Sequence, residues 1–313
     1  MITVFLIIAG LILFEVINGV DNAIINAQVL SKMAPKWRKW FLIWGILSAV
    51  FVVRGILPFL IVWITAPGIT FMQALQATFG SNDVAKQAIN ASSYILLIGG
   101  GMFLVLLYLH WLFLEKKDPF FIPDKLVKPH YGIWFFALAA LLLVGVLWAS
   151  RENPFFMLGA AVGNAAFFIL YGFRETAERA ERALEQTSGL PGQGDLARLL
   201  FLEILDLTFS IDSVLGAFAF TTSVFLILIG NGIGALVVRE LTIRGISQVG
   251  KYKWLKNGAM TSIGFLGVFM IFKAFGAHIP EWLPTITTIG IVGIAFFASH
   301  RDLKKNERNS MAS

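Results

Sequence analysis

Residues 201–215 read FLEILDLTFSIDSVL and place three carboxylates in a segment that otherwise has the composition of a membrane-spanning helix. The acids are Glu203, Asp206 and Asp212. An ionisable side chain at the centre of a bilayer costs about 2.5–3.5 kcal/mol on insertion scales, so three in one segment need a polar chamber, cationic partners or a bound ion. The segment therefore predicts a functional site at membrane depth.

The composition of the whole chain agrees with a membrane location. Of its 313 residues, 57% are hydrophobic and 14% are charged, whereas a soluble domain has about 25% charged residues. Apolar runs of about 20 residues recur, and this is the length of helix that crosses the hydrocarbon layer. We predict an all-α, polytopic membrane protein with about nine transmembrane helices. Their expected positions are 2–30, 40–65, 91–114, 132–149, 154–173, 196–220, 224–240, 257–276 and 285–299.

The spans divide the chain into three parts. Residues 1–173 form a first transmembrane half, 174–195 a cytoplasmic charged helix and linker, and 196–313 a second transmembrane half. We expect a Glu175–Arg179 ion pair in the charged helix and Asp195 as the N-cap of the next span. Residues 71–79 favour an interfacial amphipathic helix, and the run Gly99 to Gly101 favours close helix approach or a local break.

The basic residues are distributed unevenly between the predicted loops. The loops assigned to the cytoplasm hold 21 of the 25 Lys and Arg residues. Positive residues concentrate on the cytoplasmic side of membrane proteins, which predicts an N-terminus outside, a cytoplasmic C-terminus and an inner-membrane location. The N-terminal segment has no signal-peptide pattern and is expected to stay as the first span. The same distribution explains the net charge of +6 without a nucleic-acid partner.

An earlier stretch repeats the acidic motif. Residues 14–23 read FEVINGVDNA and match residues 205–214, LDLTFSIDSV. The aligned pairs are Glu15 with Asp206, Asp21 with Asp212, and Asn22 with Ser213. A second match aligns residues 45–54 with 230–239, and with it Arg54 with Arg239. Because the paired spans run in opposite directions, the pattern predicts an inverted-topology repeat of spans 1–3 against spans 6–8.

Helical periodicity groups these side chains. At about 100° per residue, Glu15, Asn18 and Asn22 share one face of span 1. Likewise, Glu203, Asp206 and Ser213 share one face of span 6. Asp21 and Asp212 fall about 120° away. Either Gly19 and Ser210 distort the helices and bring these two acids in, which we favour, or the acids serve basic neighbours such as Arg54 or Arg239.

The available ligands indicate a hard cation. Five acids at membrane depth outnumber two cations, Arg54 and Lys273. Clustered carboxylates in a low dielectric hold protons unless a cation replaces them, so the site predicts competition between metal ions and protons. The chain has no Cys, and its four His lie away from the acidic motifs. Carboxylate, amide and hydroxyl oxygens favour Mn²⁺, Mg²⁺ or Ca²⁺. An enzyme is not expected, because the chain lacks a nucleophile–base pair and a His-Glu-x-x-His motif.

The two acidic motifs resemble the signature helices of the TerC family of integral membrane proteins, in a branch close to TerC. The resemblance covers spans 1–3 and 6–8 and implies Mn²⁺ efflux. The chain departs from the usual TerC layout by its predicted nine spans rather than about seven, and by lacking the proline that often follows the second Asp-Ser. Carried over, the family's metal positions fall on Glu15, Asp21, Asn22, Glu203, Asp206, Asp212 and Ser213.

Several alternatives stay open at this stage. The acids could form structural ion pairs with Arg54, Arg239 and Lys273, and Arg54 and Arg239 could act as counter-charges or gating residues. Asn18 could be a hydrogen-bonding contact between helices rather than a ligand. Export of another small cation or organic solute, or a non-transporting role in tellurium resistance or stress, would use the same scaffold. The expected partners are the lipid bilayer, metal ions, protons and, as an open option, further copies of the chain.

Overall fold

A computed structural model describes residues 2–45, 56–57, 60, 63–64, 68, 70–79, 83–127, 132–187, 194–240 and 251–312. The regular elements in these residues are all helices, as the sequence predicts. A short π-helical turn, Phe41–Gly45, follows the second of them. The α-helices are α1 (Ile2–Ser31), α2 (Pro35–Trp40), α3 (Phe71–Phe79), α4 (Asp83–Leu114), α5 (Ile122–Leu126), α6 (Gly132–Ala149), α7 (Pro154–Thr187), α8 (Asp195–Ala217), α9 (Val224–Glu240), α10 (Leu255–Ala274) and α11 (Trp282–Ala312).

Six helices in the described part of the chain are long and apolar enough to cross a membrane. The segments are Ile2–Gly19, Ser93–Leu114, Gly132–Ala149, Pro154–Thr176, Leu255–Ala274 and Trp282–Asn306. The outer surface agrees, because α6 exposes large apolar side chains such as Ile133, Leu141 and Trp148, and contiguous apolar surface of this kind marks contact with lipid. The chain is therefore a multi-pass membrane protein.

The predicted count of nine spans is not confirmed. The expected span at 40–65 lies mostly outside the described residues. The expected sixth and seventh spans are present as the helices α8 and α9, but α8 carries several charged residues and α9 has only 17 residues. Length and composition alone therefore do not identify either helix as a span.

The glycines of α4 create two close helix crossings. A Cβ atom built on Gly101 would lie 2.8 Å from the carbonyl oxygen of Gly267 in α10, and one on Gly267 would lie 2.9 Å from the carbonyl oxygen of Gly101. On the other side, Gly163 of α7 packs directly on the backbone of Gly99. Helix α4 continues without a break through these glycines, so the run serves close approach.

Helix α1 packs against α8, α9, α10 and α11. The main apolar core lies beside it, where α4 packs between α7 and α10. Helix α9 runs parallel to α1. Their contacts pair Gly230 with Leu11, Gly234 with Glu15, and Val238 with Gly19. The first acidic motif thus lies in a helix that has four helical neighbours in the described part of the chain.

Smaller sequence predictions have mixed outcomes. The helix at 71–79 is confirmed, and so is the Glu175–Arg179 ion pair, with 2.6 Å between Nη2 and Oε1. The charged segment continues α7 directly from the membrane span. The N-cap prediction is wrong, because Gly194 caps α8. Asp195 instead accepts a hydrogen bond of 3.0 Å from the backbone N–H of Ala34, which ties the loop after α1 to the start of α8.

Candidate metal-binding seam and charged cavity

The two acid-bearing helices, α1 and α8, pack against each other in opposite directions, which is the arrangement that the repeated motif predicts. Asn18 donates a hydrogen bond of 2.9 Å to the hydroxyl of Ser213. One turn further along α1, Asn22 donates a hydrogen bond of 2.6 Å to Asp206, which lies two turns before Ser213 in α8. These bonds join side chains nearly two hundred residues apart, so the polar faces of the two motifs form one buried seam. We call this set of contacts the α1–α8 seam.

Asp206 accepts hydrogen bonds from side-chain amides within the seam. Its Oδ1 atom accepts hydrogen bonds from the amides of Asn22 and Asn26, at 2.6 and 3.0 Å. The side chain of Asp206 is buried, and so are both asparagines. Below it, the Ser210 hydroxyl donates to the Asp206 backbone carbonyl at 2.6 Å. A buried carboxylate needs such donors to offset its lost hydration, and two amides fix its orientation.

Asn26 was not among the predicted site residues. Its signal was in the sequence, because Asn18, Asn22 and Asn26 recur at intervals of four and therefore share one helical face. The motif alignment ended before Asn26, since the second half has Ala217 at the matching position. The structure adds Asn26 to the seam through its bond to Asp206.

Glu15 and Glu203 lie at the edges of the seam, each beside a glycine. Glu15 is fully buried, and a Cβ atom on Gly234 of α9 would lie 2.5 Å from the Glu15 Cβ. Glu203 is half-buried, and its carboxylate lies against Gly45 in the π-helical turn. In both places the missing side chain of the glycine makes room for the acid. These two acids thus lie against different neighbours, with Glu15 fully buried and Glu203 partly buried.

Asp212 faces a cavity rather than the Asp206 carboxylate. The cavity has a volume of about 190 Å³, and it adjoins the seam at Asn18. Helix α8 is continuous through Ser210, and the favoured distortion at this residue stays a prediction. The basic neighbour of Asp212 is Arg174 of α7, which lines the same cavity and lies close enough for the two charges to interact.

The mouth of the cavity carries a network of charged side chains. The Lys256 ammonium lies 2.8 Å from the Glu115 carboxylate, and the Arg174 guanidinium stacks over the ring of Phe209 at 4.9 Å. A second cavity of about 320 Å³ lies alongside and shares Glu115 and Arg174 as lining residues. Because Arg174 sat in the predicted cytoplasmic helix, sequence reasoning did not connect it with Asp212.

The charge network predicts an acid-sensitive contribution to stability. Burial raises the pKa of the Glu115 carboxyl, but the charges of Lys256, Arg174 and His110 outweigh this effect and hold it below the ordinary value of 4.5. A carboxyl with a lowered pKa stabilises the fold fully above its unfolded-state pKa, and the contribution is lost as pH falls through the folded-state pKa. We expect the thermal unfolding temperature of the purified protein to fall on acidification below pH 4.5 more steeply than that of Glu115→Gln.

The control for this experiment is Glu175→Gln, which removes a carboxylate from an exposed pair on α7. Exposed pairs contribute little to stability, so this variant should keep the wild-type acid profile. Equal acid profiles for the wild type and Glu115→Gln would contradict the assigned role of Glu115.

The structure places the remaining predicted residues as follows. Arg239 lies in the last turn of α9 and does not line the cavity of Asp212. The side chain of Asp21 and the whole of Arg54 lie outside the described residues. Among the described residues, no three Asp, Glu, His or Cys side chains lie together in a group that could hold a metal ion. Within that part, any ligand set in the seam must combine acids with amide or hydroxyl oxygens.

A family model described as a protein of unknown function, DUF475, matches residues 20–308, which is nearly the whole chain. The chain belongs to the DUF475 family. Membership of the TerC family, which the motifs suggested, is not confirmed. No solved structure matches the chain.

The curated relatives of this DUF475 chain are membrane proteins by name. An uncharacterized membrane protein of Bacillus subtilis, YceF, is 29% identical over 117 residues, which are 37% of this chain and 46% of that protein. The chloroplastic thylakoid membrane protein TERC of Arabidopsis thaliana is 28% identical over 100 residues, 32% of this chain and 25% of that protein. A putative membrane-bound redox modulator, Alx, of Photorhabdus laumondii is 33% identical over 84 residues, 26% of this chain and 25% of that protein. The matched segments thus span less than half of each relative.

Proposed function

We propose that this DUF475 protein exports a divalent metal cation, with Mn²⁺ as the leading candidate. The observation that carries the proposal is the buried α1–α8 seam, in which two asparagine amides hold the Asp206 carboxylate and a third binds Ser213. Stability alone is a weak reason for buried acids, since apolar residues fill such positions at lower cost. Intramembrane acids with polar partners mark ion pathways in other transporters.

The chemistry of the seam supports a hard ion. The ligands it offers are carboxylate, amide and hydroxyl oxygens, which suit Mn²⁺, Mg²⁺ and Ca²⁺. The motif resemblance to the TerC family favours Mn²⁺ among them, and one distant relative carries the name TERC. Acids that release protons when a cation enters would couple export to proton entry, because protons and metal ions compete for the same oxygens.

We further propose that α1 and α8 begin two inverted repeats. Their antiparallel packing supports this, and so does the α4–α10 crossing, where Gly101 and Gly267 make reciprocal contacts as residues near a two-fold axis would. In this arrangement α8 and α9 are spans, the count returns to nine, and the acids meet near the middle of the membrane. The distribution of basic residues supports an N-terminus outside the inner membrane and a C-terminus in the cytoplasm.

A small organic cation is the second candidate substrate. The cavity beside Asp212, at about 190 Å³, exceeds the space that a bare metal ion needs. Competition distinguishes the two substrates, since an organic cation that uses the site would reduce Mn²⁺ movement in proportion to its concentration.

The proposal is tested by Mn²⁺ transport in inverted membrane vesicles. Vesicles that contain the protein should accumulate Mn²⁺ when their lumen is acidic, and cells that express it should hold less Mn²⁺ after loading with MnCl₂. Vesicles without the protein provide the background. Equal Mn²⁺ contents with and without the protein would exclude export and favour the non-transporting stress role.

A further inference from the structure

We infer that the transported cation leaves the α1–α8 seam through the interface of α1, α10 and α11, where Ser262 and Thr288 line its path. The inference rests on the proposed function and adds a route and two residues that the acidic motifs do not include. It depends on two adjoining cavities and on one buried hydroxyl group.

The two cavities meet at the seam. The 190 Å³ cavity begins at the charged network and reaches Asn18 in α1. A second space continues from there, between α1, α10 and α11, and has no room for a water molecule. Both are lined by Ile17, Asn18 and Ala259. The cavity at the charged end thus has room for water, whereas its continuation is closed to water.

The hydroxyl of Thr288 faces this closed continuation without a hydrogen-bond partner among the described residues. Thr288 is fully buried. Two other helical threonines bond to the carbonyl four residues earlier, since Thr208 donates to Ile204 at 2.9 Å and Thr176 donates to Gly172 at 2.7 Å, whereas Thr261 of α10 shares the unpartnered state of Thr288 among the described residues. A buried hydroxyl without a partner carries a desolvation cost, and a passing cation or its hydration water would remove that cost.

Neighbouring hydroxyl groups extend the path. Ser262 of α10 lines the same space as Thr288. Thr285 lies one turn from Thr288 on the same face of α11, is fully buried, and donates to the Leu6 carbonyl of α1 at 3.2 Å. Along the route, the oxygens that face the cation therefore change from the carboxylates of Asp206 and Asp212 to neutral hydroxyl oxygens. Neutral oxygens bind a cation more weakly, which suits release, because conduction requires sites that an ion can leave.

Two apolar side chains close the route in this conformation. Phe14 of α1 and Ile263 of α10 line the closed space together with Thr288. Apolar constrictions of this kind stop ions by excluding water. Movement of α10 or α11 relative to α1 would open the space and expose Ser262 and Thr288 to water.

Cysteine accessibility tests the route, because the chain contains no native cysteine. Ser262→Cys and Thr288→Cys should react in membrane vesicles with a water-soluble cationic methanethiosulfonate. The matched control is Ile289→Cys, whose side chain is exposed on the outer surface of α11. We expect both path cysteines to react about tenfold faster than the control, since thiolates form and react in water rather than in lipid. Equal or slower reaction than Ile289→Cys at both positions would overturn the route.

A transport measurement separates the hydroxyl from the shape of the side chain. Thr288→Val keeps the shape and removes the oxygen, and we expect it to lower Mn²⁺ transport by about tenfold, the cost of one lost oxygen contact to a charged group. Thr288→Ser keeps the oxygen and should retain transport. Normal transport by Thr288→Val would overturn the role of Thr288 while leaving export intact. A wild-type protein that moves no Mn²⁺ would instead refute the proposed function, and the cysteine rates would still report the route.

Discussion

Replacement of Asp206 by asparagine is expected to abolish Mn²⁺ export while the protein still inserts and folds. The substitution keeps the size of the side chain but removes the negative charge that Asn22 and Asn26 hold in place. Removal of one partner from a buried charge interaction costs about 3–5 kcal/mol, which corresponds to a fall of more than about a hundredfold in binding of the ion. Mn²⁺ uptake by inverted vesicles measures the effect, and size-exclusion chromatography in detergent reports folding.

The control for Asp206→Asn is Asp118→Asn. Asp118 has a side chain that is 63% exposed, and its contact with Lys253 is long, at 3.8 Å. The same chemical change at this exposed site should leave transport at the wild-type rate. Wild-type transport by Asp206→Asn would show that the seam is structural and would remove the basis of the export proposal.

The second large effect is expected from Gly267→Leu at the crossing of α4 and α10. A Cβ atom at this position would lie 2.9 Å from the carbonyl oxygen of Gly101 and equally close to the backbone N–H nitrogen of Val105. Backbone atoms cannot rotate away as side chains do, so the helices must separate. We expect a loss of about 3 kcal/mol or more, the upper end of overpacking costs, and little monodisperse protein after extraction.

Gly290→Leu in α11 and Gly145→Leu in α6 are the matched controls, because no described residue beyond the helix's own backbone has an atom within 4 Å of a Cβ atom built at either position. Both variants should be recovered at wild-type yield with a wild-type unfolding temperature. A well-folded Gly267→Leu protein would contradict the packing of α4 against α10, and with it the proposed repeat.

Much of the seam was predictable because its signal is periodic. The interval from Glu15 to Asn22 and that from Asp206 to Ser213 are both seven residues, or two helical turns, so each set shares a face wherever its helix packs. The repeat of the motif in opposite orientation then indicated that the two faces meet. Asn26 follows the same period but has no counterpart in the second motif, and for this reason the comparison of the two halves missed it.

The partner of Asp212 was not predictable in the same way. Periodicity predicts the Asp212 side chain about 120° from the seam, and the structure places it at a cavity. The cation that shares the cavity with Asp212 is Arg174. It belongs to a charged segment that the sequence predicts to be a solvent-exposed helix. The Arg174 side chain lies at the cavity because α7 packs against α8 and the Arg174 guanidinium stacks on the ring of Phe209.

The sequence by itself determined the helical membrane architecture, the two acidic motifs and the face of each helix that carries them. These properties are local, since they depend on composition and on the helical repeat within a single segment. Only the tertiary structure decided which helices meet, which cation faces Asp212, and that hydroxyl groups of α10 and α11 continue the cavity. Apolar helix surfaces are nearly interchangeable next to lipid, so their pairing depends on close contacts such as Gly101 on Gly267 that no single segment encodes.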